Sequence, residues 1–385
     1  MFVRRFLVLG LWEIATTAAA SFTGAWLWRI HTPVNSVILY YLLWFGVMTG
    51  IFGVGALNRH PVTAPTVRDL GLSVAVIYLG AFAALGSDSR GWVWALAGLT
   101  GLASGLYWLA LYTQAAQTVR SAQGASYAVW LGVVETGAGI AVPPLAGLAI
   151  AAVPGLAGYR LIFLGSAVLV CAALVMSRIE RPEPAKPEQV DLRPATARWR
   201  LVLYSMAALG LRDGVLFFIP GYYLFVLTAR PVLLGMYLAL TAAVQTIAFW
   251  VYGRRPWPPL STLAASLAGG AALWLASPVP GIFVLGLVTA ATYPAFKVPL
   301  ESHALAVIKD LSGSSGPAVR RTSAKELALN VGRVGGLATL WLAVVWSAHP
   351  IPVLRSLLIG WPAVAFILTG QLWLIRRSNR RPVMH

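Results

Sequence analysis

The chain has 385 residues, of which 58% are hydrophobic and 11% are charged, with a mean hydropathy of +0.75. Soluble domains carry about 25% charged residues, so this composition excludes an ordinary soluble protein and indicates a chain that crosses a membrane several times. The net charge of +17 would suggest nucleic-acid binding in a soluble protein. In a membrane protein the same basic residues set the orientation of the loops, so we expect the lipid bilayer, and no nucleic acid, as a partner.

Apolar runs bounded by charged residues, Pro or Gly predict twelve membrane-spanning helices. The first Arg-flanked run resembles a secretory signal peptide, but Glu13 lies inside it and favours a retained first span. The predicted spans of the first half are 3–28, 34–57, 69–87, 91–113, 126–152 and 158–177. Those of the second half are 200–227, 231–252, 258–277, 280–305, 323–347 and 351–375.

A single long polar stretch separates the two sets of spans. Residues 178–199 are rich in proline and in charges of both signs, which is typical of an exposed linker. The sequence therefore predicts an all-α membrane protein of two six-helix bundles, 1–177 and 200–385, with a cytoplasmic linker and a cytoplasmic C-terminal tail.

The basic residues predict the orientation. A cytoplasmic N terminus places most of the 29 Lys and Arg residues on the cytoplasmic side, including Arg320, Arg321 and Lys325. Both termini are then cytoplasmic, and we expect a multi-pass protein of the cytoplasmic membrane.

Short sequences recur between the halves. LGLWE at 9–13 matches LGLRD at 209–213, so that Glu13 and Asp213 occupy corresponding positions. In the fifth and eleventh spans, LGVVETG at 131–137 corresponds to LNVGRVG at 329–335. Two halves that enter the membrane in the same direction form a parallel repeat, a plan that alternating-access transporters use, with the site between the halves.

The layout resembles the major facilitator superfamily over the whole chain. GIAVPPLAG at 139–147 is similar to the G-x-x-x-G-P-x-x-G motif of the family's antiporters, with Pro143 in place of a glycine. The loop after the second span keeps Arg59 and Arg68 but lacks the family's Asp at the usual spacing. The runs 210–218 and 326–336 are similar to a poorly characterised bacterial branch. The resemblance implies a monomeric transporter whose first and seventh helices line a central cavity, with Glu13 facing Arg212 or Asp213 across it.

Ionisable residues at membrane depth are functional candidates by default. We assign proton or substrate coupling to four of them: Glu13, Glu135, Arg212 and Asp213. The carboxyls of Glu13 and Asp213 lie near the bilayer centre, at about 15 Å from the cytoplasmic end. Arg212 and Asp213 point about 100° apart on an ideal helix, so we expect that they do not point at the same spot, and that one faces the cavity while the other packs or pairs sideways. A structural hydrogen bond is the alternative for Glu13.

A second charged group lies toward the cytoplasmic ends of the tenth and eleventh spans. Lys297 and Glu301 share one helix face, and Glu326, Asn330 and Arg333 share another. These five residues predict a charge-paired cytoplasmic gate. A static network, water-exposed helix ends, or an anionic substrate bound by Lys297 and Arg333 are the alternatives.

Aromatic residues complete the candidate site. Tyr107, Trp108 and Tyr293 occupy corresponding places in the two halves and are predicted to line the cavity. We assign most other Trp and Tyr residues, Tyr222 among them, to the interfacial belt.

Together these features predict a secondary active transporter that exports a small organic or amphiphilic compound in exchange for protons. A flippase for a lipid or lipid-linked substrate and an uptake system for a small solute are the alternatives. A membrane enzyme is disfavoured because no HExxH or GxSxG motif occurs, and no GxxxxGK[ST] motif of an ATPase is present either. We expect no cofactor and no metal.

Overall fold

The computed structural model describes residues 2–57, 64–118, 124–178, 196–255, 257–312 and 315–380. Within these ranges the chain forms α-helices, short 3₁₀ segments and no strand. The α-helices are α1 (Phe2–Arg29), α2 (Val34–Leu57), α3 (Ala64–Leu85), α4 (Val93–Thr118), α5 (Gly124–Ala152), α6 (Ala157–Arg178), α7 (Ala197–Leu216), α8 (Ile219–Thr228), α9 (Pro231–Arg254), α10 (Pro259–Leu275), α11 (Pro278–Ser312), α12 (Ser315–Val345), α13 (Pro350–Gly360) and α14 (Val364–Arg380).

Twelve membrane spans account for these helices, as the sequence predicts. Nine described segments are long and apolar enough to cross a membrane. One of them, 64–114, contains both α3 and α4, joined by a 3₁₀ turn at Gly86–Trp92. Two shorter apolar helices, Thr136–Ala152 and Pro259–Leu275, supply the remaining spans. The chain is therefore an all-α, multi-pass membrane protein.

Two spans are interrupted. The seventh consists of α7 and α8, because Pro220 has no N–H to continue the hydrogen-bond ladder of α7. The twelfth consists of α13 and α14, with Trp361–Ala363 and its proline between them. Both breaks leave backbone and aromatic groups inside the membrane-spanning region, a feature that functional sites in transporters share.

The predicted loop between the tenth and eleventh spans was too long. Helix α11 continues to Ser312, and α12 already begins at Ser315, although the sequence predicted helix ends near 305 and 323. The charged residues of this region therefore lie on helices that pack together. Residues 179–195 of the predicted linker and 381–385 of the predicted tail fall outside the described residues.

Helices α1–α6 form the first half of the chain and α7–α14 the second. The halves meet mainly where α2 packs on α12 and where α5 packs on α9. We call the side where Phe2, Leu57 and Ser315 lie the terminus face, and the side where Arg29, Ala229 and Val345 lie the opposite face.

Arginines at the opposite face repeat the same contact in both halves. Arg160, early in α6, donates a hydrogen bond to the carbonyl oxygen of Ala83 at the end of α3 (2.7 Å). Arg355, early in α13, donates to the carbonyl oxygen of Leu273 at the end of α10 (3.1 Å). In each half the sixth span thus caps the third, as expected of the parallel repeat.

Small residues bring α7 and α12 into close contact. A methyl group built on Gly210 would overlap the carbonyl oxygen of Leu329, and one built on Gly332 would overlap that of Ala207. Gly214 and Gly336 repeat this relation one turn further along. Such spacing of glycines allows two membrane helices to approach closely, and it fixes the position of the charged residues between Gly210 and Gly214.

Candidate functional site

Arg212 and Asp213 form a buried ion pair on α7. The two side chains are 4% and 1% exposed, and Nη1 of Arg212 lies 3.2 Å from Oδ1 of Asp213. Nη2 of Arg212 also donates to the carbonyl oxygen of Thr289 on α11 (2.8 Å). The hydroxyl of Tyr293, on the same helix, donates to Oδ2 of Asp213 (3.4 Å). The pair therefore ties α7 to α11 inside the second half.

The expectation that these two side chains point apart was wrong. The Arg212 guanidinium lies over the rings of Tyr293 (5.3 Å) and Phe296 (5.9 Å), on the side to which Asp213 also turns. Adjacent residues diverge by about 100° at the backbone, but the arginine side chain is long enough to turn back to its neighbour.

Glu13 lies on α1, in the first half, and is 8% exposed. The hydrogen bonds of Arg212 and Asp213 described above lie within the second half. Helix α1 meets the second half through α8 and α9. The side chain of Glu135 lies outside the described part of the chain.

A second buried charged group joins α11 to α12. Nζ of Lys325 lies 2.7 Å from Oε2 of Glu301 and 2.9 Å from Oε1 of Glu326. Lys325 is 6% exposed, and the sequence did not predict it as a member of the charged group. Lys297, predicted as the partner of Glu301, lies over the Tyr293 ring (5.3 Å) and within electrostatic range of Glu301.

This network does not join the two halves. Its helices both belong to the second half, so separation of the halves leaves its ion pairs intact. The gate residues predicted from the sequence are thus brought together, but in a position that stabilises one half rather than the contact between halves.

Arg333 is the member of the predicted gate group that reaches the first half. Its Nη1 donates to Oδ1 of the fully buried Asn330 (3.1 Å), and its guanidinium lies 5.2 Å from the centre of the Phe45 ring on α2. The side-chain amide of Asn330 in turn donates to the carbonyl oxygen of Glu326, one turn earlier on α12 (2.9 Å). Asn330 therefore orients Arg333 toward α2.

Arg29 and Arg320 each donate a hydrogen bond from one half to the other, one at each face. At the opposite face, Nη2 of Arg29 donates to the carbonyl oxygen of Ala229 after α8 (3.0 Å). At the terminus face, Nε of Arg320 donates to the carbonyl oxygen of Ala56 in the last turn of α2 (3.1 Å). Each guanidinium thus meets the carbonyl end of a helix from the other half, where the helix dipole is negative.

Between these arginines lies a cavity of about 260 Å³. Helices α1 and α2 of the first half contribute to its wall, together with the break between α7 and α8, helix α8 and helix α9 of the second half. All the lining side chains are uncharged, and four are aromatic. The lining residues are Thr17, Ala20, Ser21, Gly24, Ala25, Tyr41, Phe217, Phe218, Gly221, Tyr222, Leu234 and Leu238. We call this space the central cavity.

Both candidate carboxylates lie one helical turn from the central cavity. Glu13 precedes Thr17 by four residues on α1, and Asp213 precedes Phe217 by four on α7, so each pair shares a helix face. The Phe217 ring also packs edge-on against Tyr293, at 5.2 Å between ring centres. A chain of contacts therefore runs from the cavity through Phe217 and Tyr293 to Asp213.

The aromatic residues predicted to line the cavity lie elsewhere. Tyr107 is 1% exposed and stacks on Trp12 (3.9 Å), and Trp108 packs against Tyr107 within the first half. Tyr293 belongs to the ion-pair site of the second half. Tyr222, assigned to the interfacial belt, is 3% exposed and lines the central cavity instead. The break before α8 turns Phe217, Phe218 and Tyr222 inward, and the only sequence signal for it is Pro220.

A wider cavity of about 800 Å³ lies at the opposite face. Trp28, Arg29, His31 and Asn35 line it from the first half, and Val344 and Ser347 line it from the second. Its position makes it an entrance beyond the Arg29 contact. Among the described residues, no group of three His, Cys, Asp or Glu side chains is placed to hold a metal ion.

Comparison with known proteins extends over nearly the whole chain. No family model matches it. An uncharacterized protein of Bacillus subtilis, YqgE, is 21% identical over 375 residues, which is 93% of this chain and 87% of that protein. A protein of Geobacillus stearothermophilus, described as an uncharacterized protein in the sodM 3′ region, is 25% identical over 43% of this chain and 78% of its own length.

Solved structures of transporters have the same architecture. A proton-dependent oligopeptide transporter has a TM-score of 0.71 at 12% identity, covering 99% of both chains. A single-site variant of the nucleoside transporter NupG has a TM-score of 0.69 at 12% identity, covering 97% of this chain and 99% of that one. The Escherichia coli fucose:proton symporter FucP has a TM-score of 0.62 at 11% identity, covering 98% or more of either chain. The chain therefore has the twelve-helix fold of the major facilitator superfamily.

Proposed function

We propose that the chain is a secondary active transporter that works by alternating access between its two six-helix halves, 1–177 and 200–385. The observation that carries this proposal is the central cavity between the halves, with a buried carboxyl group of each half one helical turn away from it. A substrate in the cavity then contacts both halves, and a proton on either carboxyl lies close enough to affect that contact.

Access alternates through the two arginine contacts. With Arg29 on Ala229 and Arg320 on Ala56, the halves are held together at both faces. Release of the Arg29 contact opens the central cavity to the entrance at the opposite face. Release of the Arg320 contact opens it to the terminus face, which we place in the cytoplasm together with both termini, in the cytoplasmic membrane.

Asp213 couples protons to this motion in the proposed mechanism. As a carboxylate, it accepts the hydrogen bonds of Arg212 and Tyr293. Protonation weakens both of these bonds and frees Tyr293 to move with Phe217, which forms part of the cavity wall. Occupation of the cavity and protonation of Asp213 thereby influence each other, and Glu13 has the same relation to Thr17 in the first half. Glu135 remains a candidate for the same role.

The proposed direction is export, in exchange for protons, of a small organic or amphiphilic compound. The wall of the central cavity is aromatic and aliphatic with a few hydroxyl groups, which suits such a compound. The antiporter-like run at 139–147 supports exchange. There, a methyl group on Gly147 would lie 2.7 Å from the carbonyl oxygen of Pro231, so α5 and α9 cross closely between the halves.

Proton movement in liposomes tests the proposal. Purified protein is reconstituted with a pH-sensitive dye in the lumen, and small aromatic or amphiphilic compounds are added outside under a pH gradient. We expect compound-driven proton movement in the wild type, and a rate about a hundredfold or more lower in Glu13→Gln and Asp213→Asn, since about a hundredfold is the low end of what one proton-transfer group contributes. Asp88→Asn is the control, since Asp88 is exposed in the turn between α3 and α4. Coupled movement that persists in both variants would refute the assignment of the proton sites.

A further inference from the structure

Tyr222 lines the central cavity, and its hydroxyl group is buried. The residue is 3% exposed, and among the described residues no atom donates a hydrogen bond to its hydroxyl oxygen or accepts one from it. A buried hydroxyl without a partner costs about 1–3 kcal/mol, so such groups mark places where a ligand supplies the missing bond. The position of Tyr222 on α8 therefore indicates a binding group rather than a packing residue.

The rest of the cavity wall determines what kind of ligand fits. Phe217 and Phe218 supply flat aromatic surfaces from the second half, and Tyr41 supplies another from the first. Tyr41 and Phe218 lie 5.0 Å apart between ring centres, so these surfaces meet across the boundary between the halves. Aromatic walls favour flat, aromatic molecules, which stack on them at low entropic cost.

Charge is excluded by the same wall. None of the described residues that line the central cavity carries a charge, and an isolated ion moved from water into such a site loses its hydration without gaining a partner. The volume of about 260 Å³ corresponds to roughly nine water molecules, which suits a one-ring or two-ring compound. Thr17 and Ser21 add two further hydroxyls on α1.

We infer that the central cavity binds an uncharged, flat aromatic or heteroaromatic molecule, and that the Tyr222 hydroxyl donates a hydrogen bond to an acceptor atom of this ligand. The inference rests on the proposed transport function and names its substrate class. It also argues against the anionic substrate considered from the sequence, because Arg333 and Lys297, which suggested it, lie outside the cavity wall.

Cysteine protection tests this class without a gradient or transport. The chain has one native cysteine, Cys171, which is exposed, so Cys171→Ser with Ser21→Cys gives a single thiol in the cavity wall. The full-length protein in lipid nanodiscs is alkylated with N-ethylmaleimide in the presence of millimolar nicotinamide or caffeine, which are uncharged. Nicotinate and 1-methylnicotinamide are the anionic and cationic counterparts of nicotinamide.

We expect the uncharged probes to slow alkylation severalfold and the two charged probes to have no effect. Tyr222→Phe should weaken protection about threefold to tenfold, the range of one neutral hydrogen bond. Tyr223→Phe is the matched control, because Tyr223 is equally buried but does not line the cavity. Size-exclusion profiles and melting temperatures of both variants establish that they are folded.

Three results would each overturn the inference. A charged probe could protect the thiol as strongly as nicotinamide does, the two tyrosine variants could weaken protection equally, or neither uncharged probe could protect at all. Protection that follows the expected pattern in a protein without compound-driven proton movement would uphold the binding site and refute the transport function. Proton movement driven by other compounds, without protection of the cavity thiol by the uncharged probes, would uphold the transport function and refute this substrate class.

Discussion

Arg29 and Arg320 predict opposite responses to the same substitution. Arg29→Gln removes the hydrogen bond to the Ala229 carbonyl oxygen (3.0 Å) and the contact of the guanidinium with the Phe225 ring (5.9 Å). An exposed hydrogen bond of this kind contributes about 1 kcal/mol, and an exposed cation–π contact about 0.5–1 kcal/mol. Loss of roughly 1.5 kcal/mol at the opposite face shifts the equilibrium about tenfold toward opening there.

Arg320→Gln acts at the terminus face. Its bond to the Ala56 carbonyl oxygen (3.1 Å) is partly buried, and a charged hydrogen bond in such a place contributes about 1.5–3 kcal/mol. We expect a shift of about ten- to a hundredfold toward opening at the terminus face. Opening at one face competes with opening at the other, so this variant makes the opposite face open less often.

The assay uses the cavity thiol of Cys171→Ser with Ser21→Cys. A cationic methanethiosulfonate reagent that cannot cross the membrane is added from the opposite face. Arg29→Gln should raise the labelling rate about tenfold, and Arg320→Gln should lower it. Arg355→Gln is the control, since Arg355 makes the same type of bond at the same face but within one half. Rates that change in the same direction in both variants, or equally in the control, would refute the assignment of these arginines to the two faces.

Two further predictions concern the second half. Lys325→Met leaves the buried Glu326 and the partly exposed Glu301 without their shared ion pair and should cost about 3–5 kcal/mol, measured as a lower melting temperature in detergent. Adding Glu301→Gln and Glu326→Gln should restore most of the loss, and a triple variant no more stable than the single one would exclude these ion pairs as the cause. Gly332→Leu forces α12 away from α7. This change should lower the free energy of unfolding by about 1–3 kcal/mol and reduce the yield of monodisperse protein. Gly370→Ala is the control: Gly370 has open space around it, so this substitution should change stability by less than about 1 kcal/mol.

The number and approximate position of the spans could be predicted from the sequence, because apolar length is set by the bilayer and is a local property of the chain. The spans near 34–57 and 231–252 match α2 and α9 within two residues. The ends of α11 and α12 could not be predicted this way. Charged and small residues at these ends resemble a loop, although α11 continues to Ser312 and α12 begins at Ser315.

The candidate site was predicted less completely, since it depends on which side chains face each other. The repeat of LGLWE and LGLRD placed Glu13 and Asp213 at corresponding positions, one turn from the cavity in both halves. It could not reveal that Arg212 turns back onto Asp213. Tyr222 lies near the end of a span, where tyrosines usually meet the interface, and only the break before α8 turns it inward.

The distribution of strong and weak contacts explains how such a chain could move as two bodies. Within the second half, Lys325 is held by two carboxylates at 2.7 and 2.9 Å, and the Arg212–Asp213 pair joins α7 to α11. Breaking either group costs several kcal/mol because it leaves a buried charge without a partner. The contacts of Arg29 and Arg320 across the halves are hydrogen bonds to main-chain carbonyls, accompanied for Arg29 by a contact with the Phe225 ring. Neither arginine is fully buried. A ligand can shift a two-state equilibrium only by the difference between its affinities for the two states. The Arg29 and Arg320 contacts contribute about 1–3 kcal/mol each, which the binding of one small substrate and one proton can offset. The same binding energy is too small to break the ion pairs inside the second half.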